Sequence, residues 1–299
     1  MTVLEAIQKS TDFLGRKNVG SPRLQTELLL AHVLSLPRMK LYLNFNRALT
    51  TSEADALRQL VVRRGRREPL QHIVGSSSFC GFEMRVNGQA LIPRPETELL
   101  AELGWQFLQQ RARERAGAPG PTALDFGTGT GCIAIALAAK CPAACVTALD
   151  ISAGALALAR ENAEKNQVAG RLEFIEGAGL AGLKAAVAEP GGGARLFDLI
   201  ISNPPYIATA EIATLEPEVK DFDPRTALDG GVDGLDFYRL LAREGGGHLF
   251  PAGKIMLEFG DGQGEAIGRI FTGENWIVEA VREDYSQRAR ILVARLAGS

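Results

Sequence analysis

Ala123-Leu124-Asp125-Phe126-Gly127-Thr128-Gly129-Thr130-Gly131 runs directly into Cys132-Ile133-Ala134-Ile135-Ala136-Leu137. A short apolar run carrying one carboxylate, then glycines alternating with threonines, then an Ala- and Leu-rich run read as strand, glycine loop and helix. Glycine lets the backbone turn tightly and come close to a ligand, and the first turn of the next helix offers unpaired N–H groups. The spacing is Gly-x-Gly-x-Gly, not the Gly-x-Gly-x-x-Gly of sites that cradle a pyrophosphate. The following strand, Cys145-Val146-Thr147-Ala148-Leu149, ends in Asp150, where the carboxyl edge of a parallel sheet would meet the hydroxyl pair of a ribose. By itself Asp150 also reads as an ordinary polar strand end. Ser152 is placed to cap the next helix.

Outward from this unit the alternation continues. Leu172-Glu173-Phe174-Ile175-Glu176, Leu199-Ile200-Ile201-Ser202, Lys254-Ile255-Met256-Leu257-Glu258-Phe259, Trp276-Ile277-Val278-Glu279-Ala280-Val281 and Arg290-Ile291-Leu292-Val293-Ala294 are strand candidates. With helices between them, they predict an α/β fold built on a doubly wound, mostly parallel sheet. A helix over about 95–115 leads into the sheet through Gly117-Ala118-Pro119-Gly120-Pro121. Gly191-Gly192-Gly193 and Gly245-Gly246-Gly247 read as loops. Ahead of the sheet the period is helical: Leu28, Leu29, Ala31, His32 and Leu34 form one apolar face, and Thr51 or Ser52 caps a helix holding Leu57, Leu60 and Val61. Phe79, Phe82, Met84 and Val86 around Gly81 and Asn87-Gly88 predict a β-hairpin. The expected organisation is a helical bundle over 1–75 for substrate recognition, a hairpin linker over 76–92 and a catalytic domain over 93–299.

The strand ending at Ser202 is followed by Asn203-Pro204-Pro205-Tyr206. An amide or aromatic amine nitrogen is a poor nucleophile because its lone pair is delocalised. Two acceptors on one side of an NH2 group take both hydrogens and hold the nitrogen for attack. The Asn203 side-chain oxygen and the Pro204 carbonyl can be those acceptors, two prolines fix the turn that aims the carbonyl, and Tyr206 offers a flat face to a π system. The bland alternative is a strand ending in a Pro-Pro turn beside an exposed tyrosine. Together with the glycine loop and Asp150, the tetrapeptide favours an adenosyl ligand and alkylation of a planar nitrogen.

With 299 residues and 46% hydrophobic content, two domains and a sizeable core are expected. A formal net charge of -2 and a pI near 6.0 give no general attraction to nucleic acid. Arg63, Arg64, Arg66 and Arg67 form the one basic cluster, either a solvated helix end or a docking patch for an acidic partner or ribosomal RNA. The cysteines at positions 80, 132, 141 and 145 lack metal-site spacing and are expected to be reduced core thiols, with no metal. No apolar core follows a basic N-terminus, and no apolar stretch approaches about 20 residues free of Gly or charge. A cytoplasmic protein is expected.

Glycine loop, ribose acid and Asn-Pro-Pro-Tyr, in this order, resemble the class I S-adenosylmethionine-dependent methyltransferases. More narrowly the chain resembles the peptide-chain-release-factor glutamine N5-methyltransferases over nearly its whole length. The segments that carry this are Leu24 to Leu34, Arg67-Glu68-Pro69-Leu70-Gln71-His72-Ile73-Val74-Gly75, Leu91-Ile92-Pro93-Arg94-Pro95-Glu96-Thr97-Glu98, and Glu218-Val219 with Pro224 to Tyr238. The resemblance implies seven strands with the last antiparallel, and S-adenosyl-L-methionine held by Gly127, Thr128, Gly129, Thr130, Gly131, Asp150, Gly179 and Asn203. It implies Asn203, Pro204 and Tyr206 as catalytic residues, and Asn203, Pro204, Pro205 and Tyr206 as substrate contacts. One departure stands out. Relatives usually carry an acidic residue after the third strand, where this chain has Gly177-Ala178-Gly179-Leu180, so either a backbone N–H near Ala178 or Gly179, or Glu176 shifted into the role, is left to meet the adenine.

Residue chemistry alone leaves the substrate open, since a glutamine amide and the amino group of adenine present the same planar NH2. The resemblance implies the glutamine of a Gly-Gly-Gln loop in a peptide chain release factor, gripped by the N-terminal bundle, with no nucleic acid required and the enzyme a monomer. The rivals are a ribosomal-protein glutamine methyltransferase, an N6-adenine DNA methyltransferase that must flip its base, and a non-catalytic adenosyl-binding module.

Overall fold

A computed structural model of the chain describes residues 1–115, 119–180, 183 and 195–298. The turn expected at Gly117-Ala118 and the loop at Gly191-Gly192-Gly193 lie outside the described residues. The chain divides into two compact units, 1–76 with 216–222, and 77–215 with 223–299.

The first unit holds α1 (Val3–Arg16), α2 (Pro22–Val33), α3 (Thr51–Gly65) and the short α4 (Leu70–Val74). Its core is aliphatic, built on Ile7, Leu14, Leu29, Leu30, Leu41 and Leu57. Two starts are capping boxes: Thr2 with Glu5, and Thr50 with Glu53. The cap of α3 is therefore Thr50, one residue before the expected Thr51 or Ser52, because only Thr50 has Glu53 three residues on. The buried face of α2 is Thr26, Glu27, Leu29, Leu30 and Ala31, while His32 is exposed. A glutamate can replace His32 inside because Arg23, Arg38 and Tyr42 all donate to the Glu27 carboxylate.

The basic cluster is neither a solvated helix end nor a docking patch. Arg64 is buried, donating to Glu218 at 2.6 Å, to the Glu68 carbonyl at 3.1 Å and to Gln25. Arg67 donates to Glu218 at 2.6 Å and Glu216 at 2.7 Å, and Arg63 to Glu68 at 2.9 Å. Of the four, only Arg66 is exposed. Carboxylates brought back by 216–222 have taken up Arg64 and Arg67, and Glu68 has taken up Arg63.

The second unit opens with a hairpin, β1 (Ser76–Phe79) and β2 (Phe82–Arg85), whose turn residues Cys80 and Gly81 both have positive φ, as a tight two-residue turn requires. After α5 (Thr97–Glu114) come β3 (Thr122–Phe126), α6 (Cys132–Lys140), β4 (Cys145–Asp150), α7 (Ala153–Lys165), β5 (Leu172–Glu176) and β6 (Phe197–Ser202). Then follow α8 (Asp236–Glu244), β7 (Leu249–Glu258), α9 (Gly264–Gly273), β8 (Trp276–Glu283) and β9 (Ala289–Leu296). The sheet order is β5-β4-β3-β6-β7-β9-β8, seven strands with only β9 antiparallel to its neighbours.

Strand pleating sends alternate side chains to opposite faces. Ala123, Leu199 and Ile201 join one apolar core with α5 and α6, whereas Leu124 and Ile200 join a second with Tyr238, Leu241, Ile267 and Phe271. Both faces of the sheet are thus covered, which explains why the central strands read as continuous apolar runs. Gly245–His248 forms a 3-10 turn rather than an open loop. Cys132 and Cys141 are buried as expected, but Cys145, the first residue of β4, is exposed. Among the described residues no helix is long and apolar enough to cross a membrane.

Candidate active site

Strand β3 pairs with β4 on one side and β6 on the other, so the connections leave its carboxyl end in opposite directions and open a crevice there. Three sequence-predicted groups meet at that edge: the glycine loop after β3, Asp150 at the end of β4, and Asn203 just past β6.

The glycine loop has φ of +73° at Gly127, +55° at Gly129 and +80° at Gly131, values that side chains resist. Gly131 also needs to be bare, because a Cβ there would stand 3.0 Å from that of Ala159. Asp150 ties the loop down. Its carboxylate accepts from Gly129 N at 2.8 Å and Ser152 N at 2.9 Å, and Ser152 caps α7 through Ala155 N. Beneath the loop, buried Asp125 accepts from the Thr128 hydroxyl at 2.6 Å and Ala134 N at 3.1 Å. Burial pushes its carboxyl up to about 7 despite these donors, with the nearby Asp150 charge adding to the rise. Asn162 is fully buried and clamps the hairpin to the loop: it accepts from Arg85 N at 2.6 Å and donates to the carbonyls of Arg85 and Thr130.

A cleft lies over this edge, lined by Gly127 to Thr130, Asp150, Asn203 and Pro205 together with Thr97 and Arg94. Gly131, Pro204 and Tyr206 are not on its wall. A second cavity adjoins Gly177, Ala178 and Gly179. Glu176 is exposed and outside it, and the carboxylate on its lining is that of Asp229. The aromatic wall comes instead from Phe237 on α8, edge-on to Phe126 at 6.4 Å.

The Asn-Pro-Pro-Tyr turn is held from behind. Gln263 donates to the Tyr206 carbonyl at 2.9 Å and accepts from Gly260 N at 2.9 Å. The glycines of Asp229-Gly230-Gly231-Val232-Asp233-Gly234 are there for contact: a Cβ on Gly230 would lie 2.8 Å from the Pro205 carbonyl oxygen, and one on Gly234 2.4 Å from that of Tyr206. Pro204 is buried and the half-buried Tyr206 leans on the second core. Asn203 Nδ2 donates to Thr97 Oγ1 at 3.0 Å, which commits the NH2 end of the amide to the protein and leaves Oδ1 to accept.

The sequence assigns no site role to Thr97, Glu258, Phe237 or Gln263, although Thr97 and Phe237 fall within the segments that carry the resemblance. Glu258 carried a usable signal, a carboxylate at the end of a parallel strand like Asp150; Gln263 carried none.

A release factor glutamine methyltransferase of Geobacter sulfurreducens is 43% identical over 271 residues, covering 91% of this chain and 88% of the relative. One from Deinococcus radiodurans is 38% identical over 298 residues and covers 100% of both chains. The chain belongs to the release factor glutamine methyltransferase family. Two family models match this family member: the PrmC N-terminal domain over residues 5–75, and the methyltransferase small domain over 103–216, which takes in β3 to the Asn-Pro-Pro-Tyr turn. Among solved structures, a release factor-specific protein-(glutamine-N5) methyltransferase from Alicyclobacillus acidocaldarius is 27% identical, with a TM-score of 0.40, covering 72% of this chain and 99% of that one.

Proposed function

We propose that the protein methylates the side-chain amide nitrogen, N5, of the glutamine in the Gly-Gly-Gln loop of peptide chain release factors. The observation that carries the reading is the orientation of Asn203. With its NH2 turned to Thr97, its Oδ1 is the acceptor on the cleft side, the polarity required to take a hydrogen from a substrate NH2.

The residues fit S-adenosyl-L-methionine as donor. Gly127 is bare toward the cleft, with nothing within 4 Å of a Cβ built on it, and Asp150 lies on the same wall with its remaining lone pairs available to hydroxyls. Gly127 to Gly131, Asp150 and the backbone near Gly179 would hold it, and when bound it supplies an electrophilic methyl group on a sulfonium.

The chain's own residues then position the acceptor. Asn203 Oδ1 and the Pro204 carbonyl take the two amide hydrogens, the Pro-Pro turn keeps those acceptors apart, and Tyr206 offers its ring to the amide plane. No general base is assigned, because a nitrogen that has just gained a methyl group is a strong acid and gives its proton to water or a carbonyl. The helical unit, matched by the PrmC N-terminal domain, supports the reading as the part that grips the factor. The enzyme acts as a cytoplasmic monomer, with no nucleic acid required.

Mass spectrometry of purified release factor after incubation with the protein and S-adenosylmethionine tests this. One added methyl on the Gly-Gly-Gln glutamine is expected. An unmodified factor beside methylated duplex DNA moves the substrate to adenine and overturns the reading.

A further inference from the structure

Glu258, the last residue of β7, is 4% exposed. A carboxylate at that depth requires partners. Thr97 and Asn203 both hydrogen-bond to it in its ionised form, and its Oε2 has no partner. Thr97 is itself buried and is the group to which Asn203 donates at 3.0 Å. Carboxylate, hydroxyl and amide therefore form one connected network, with the amide end at the cleft.

The direction of hydrogen bonding along such a network is set by its most constrained member. An ionised carboxylate can only accept, so the single Thr97 hydrogen points to Glu258 and Thr97 presents lone pairs to Asn203. The Asn203 amide must then turn its NH2 inward. If Glu258 carries a proton it can donate to Thr97, whose hydrogen is released toward Asn203, and the amide is satisfied with Oδ1 inward. Its NH2 would then meet the substrate NH2, donor against donor.

We propose that Glu258, acting on the Asn203 amide both directly and through Thr97, is the positioning residue that decides which end of that amide faces the substrate nitrogen. This rests on the reading of Asn203 as an acceptor of the amide hydrogens.

The surroundings leave both states of Glu258 accessible near neutrality. Burial pushes its carboxyl up to about 7, the Glu96 charge ahead of α5 adds to the rise, and Arg290 on β9 opposes it. The other titratable groups facing it are Tyr206 in the turn and Tyr238 on α8, whose hydroxyl donates to the Glu258 carbonyl at 2.8 Å. Burial holds both phenols above their usual range, and Arg94 opposes that rise only at Tyr206, so neither titrates where Glu258 does.

Single-turnover methylation of a release factor by the full chain, followed from about pH 5.5 to 9, tests the inference with calorimetric donor affinity as the check on folding. The wild-type rate should fall about tenfold per pH unit on the acid side. Glu258→Gln, which has no proton to gain there, should lose that limb. Thr97→Val should be slower by about 10²-fold with donor affinity unchanged, and Thr97→Ser should restore the rate. An acid limb that persists unchanged in Glu258→Gln, or a Thr97→Val enzyme at the wild-type rate, overturns the inference. Asn203→Ala at the wild-type rate would instead remove the parent reading, so the two failures are distinguishable.

Discussion

Ser202 Oγ donates to the Phe126 carbonyl oxygen at 2.6 Å, joining the tips of β6 and β3 one residue beyond the last paired position, Asp125 with Ile201. This bond sets the separation between the glycine loop and the Asn-Pro-Pro-Tyr turn. Ser202 is fully buried, so its loss leaves the carbonyl without a replacement from water. Ser202→Ala should cost about 1 kcal/mol of stability, seen as a lower urea midpoint, and should weaken donor binding in calorimetry. An unchanged midpoint would show that the ladder alone holds the two tips.

Asn203→Ala removes the cleft-side acceptor while leaving the glycine loop and Asp150 in place. The methylation rate should drop by about 10² or more, with the donor dissociation constant close to wild type. Single-turnover kinetics beside calorimetry separates these, and a parallel loss of both would mean that Asn203 supports the donor.

Asp150 serves twice, since its carboxylate accepts from Gly129 N and Ser152 N and also lies on the cleft wall. Asp150→Ala should weaken donor affinity by about 1 to 3 kcal/mol. Asp150→Asn, which keeps one acceptor, should lose less, and equal losses would assign the whole effect to charge.

Asp125 gives the fold a pH dependence. Its carboxyl is raised from 3.8 to about 7, so the folded chain holds this proton where the unfolded chain has lost it. Its contribution to stability is full below about 3.8, declines as pH rises through the interval, and is gone above about 7. Melting temperatures from pH 5 to 8 should therefore fall less steeply in Asp125→Asn than in wild type. Parallel slopes would show that Asp125 does not titrate there.

Glu218→Ala should destabilise the helical unit. Arg64 would remain buried with only the Gln25 side chain and the Glu68 carbonyl, both uncharged. Removing one partner of a buried pair costs about 3 to 5 kcal/mol, and since Glu218 is itself a fifth exposed the expected loss is about 2 kcal/mol. Denaturant titration of wild type, both single variants and the Arg64→Met/Glu218→Ala double variant measures the coupling, and a coupling near zero would make the contact incidental.

The sequence by itself determined the strand, glycine loop and helix around Gly127 to Gly131, the capping serine at 152, a hairpin around Gly81, and the meeting of the glycine loop, Asp150 and Asn203 at one sheet edge. These follow from local rules: side-chain period, the φ freedom of glycine, the φ restriction of proline, and the placing of successive parallel strand ends on the same side. The tertiary structure alone decided that Arg64 pairs with Glu218, 154 positions away, that Asn203 turns its NH2 to Thr97 across 106 positions, and that Phe237 walls the cavity beside Gly179. Partners so far apart share no period and no turn. Which donor meets which acceptor is settled only when packing brings them together away from water, where a buried charge or amide must take the partner that lies beside it.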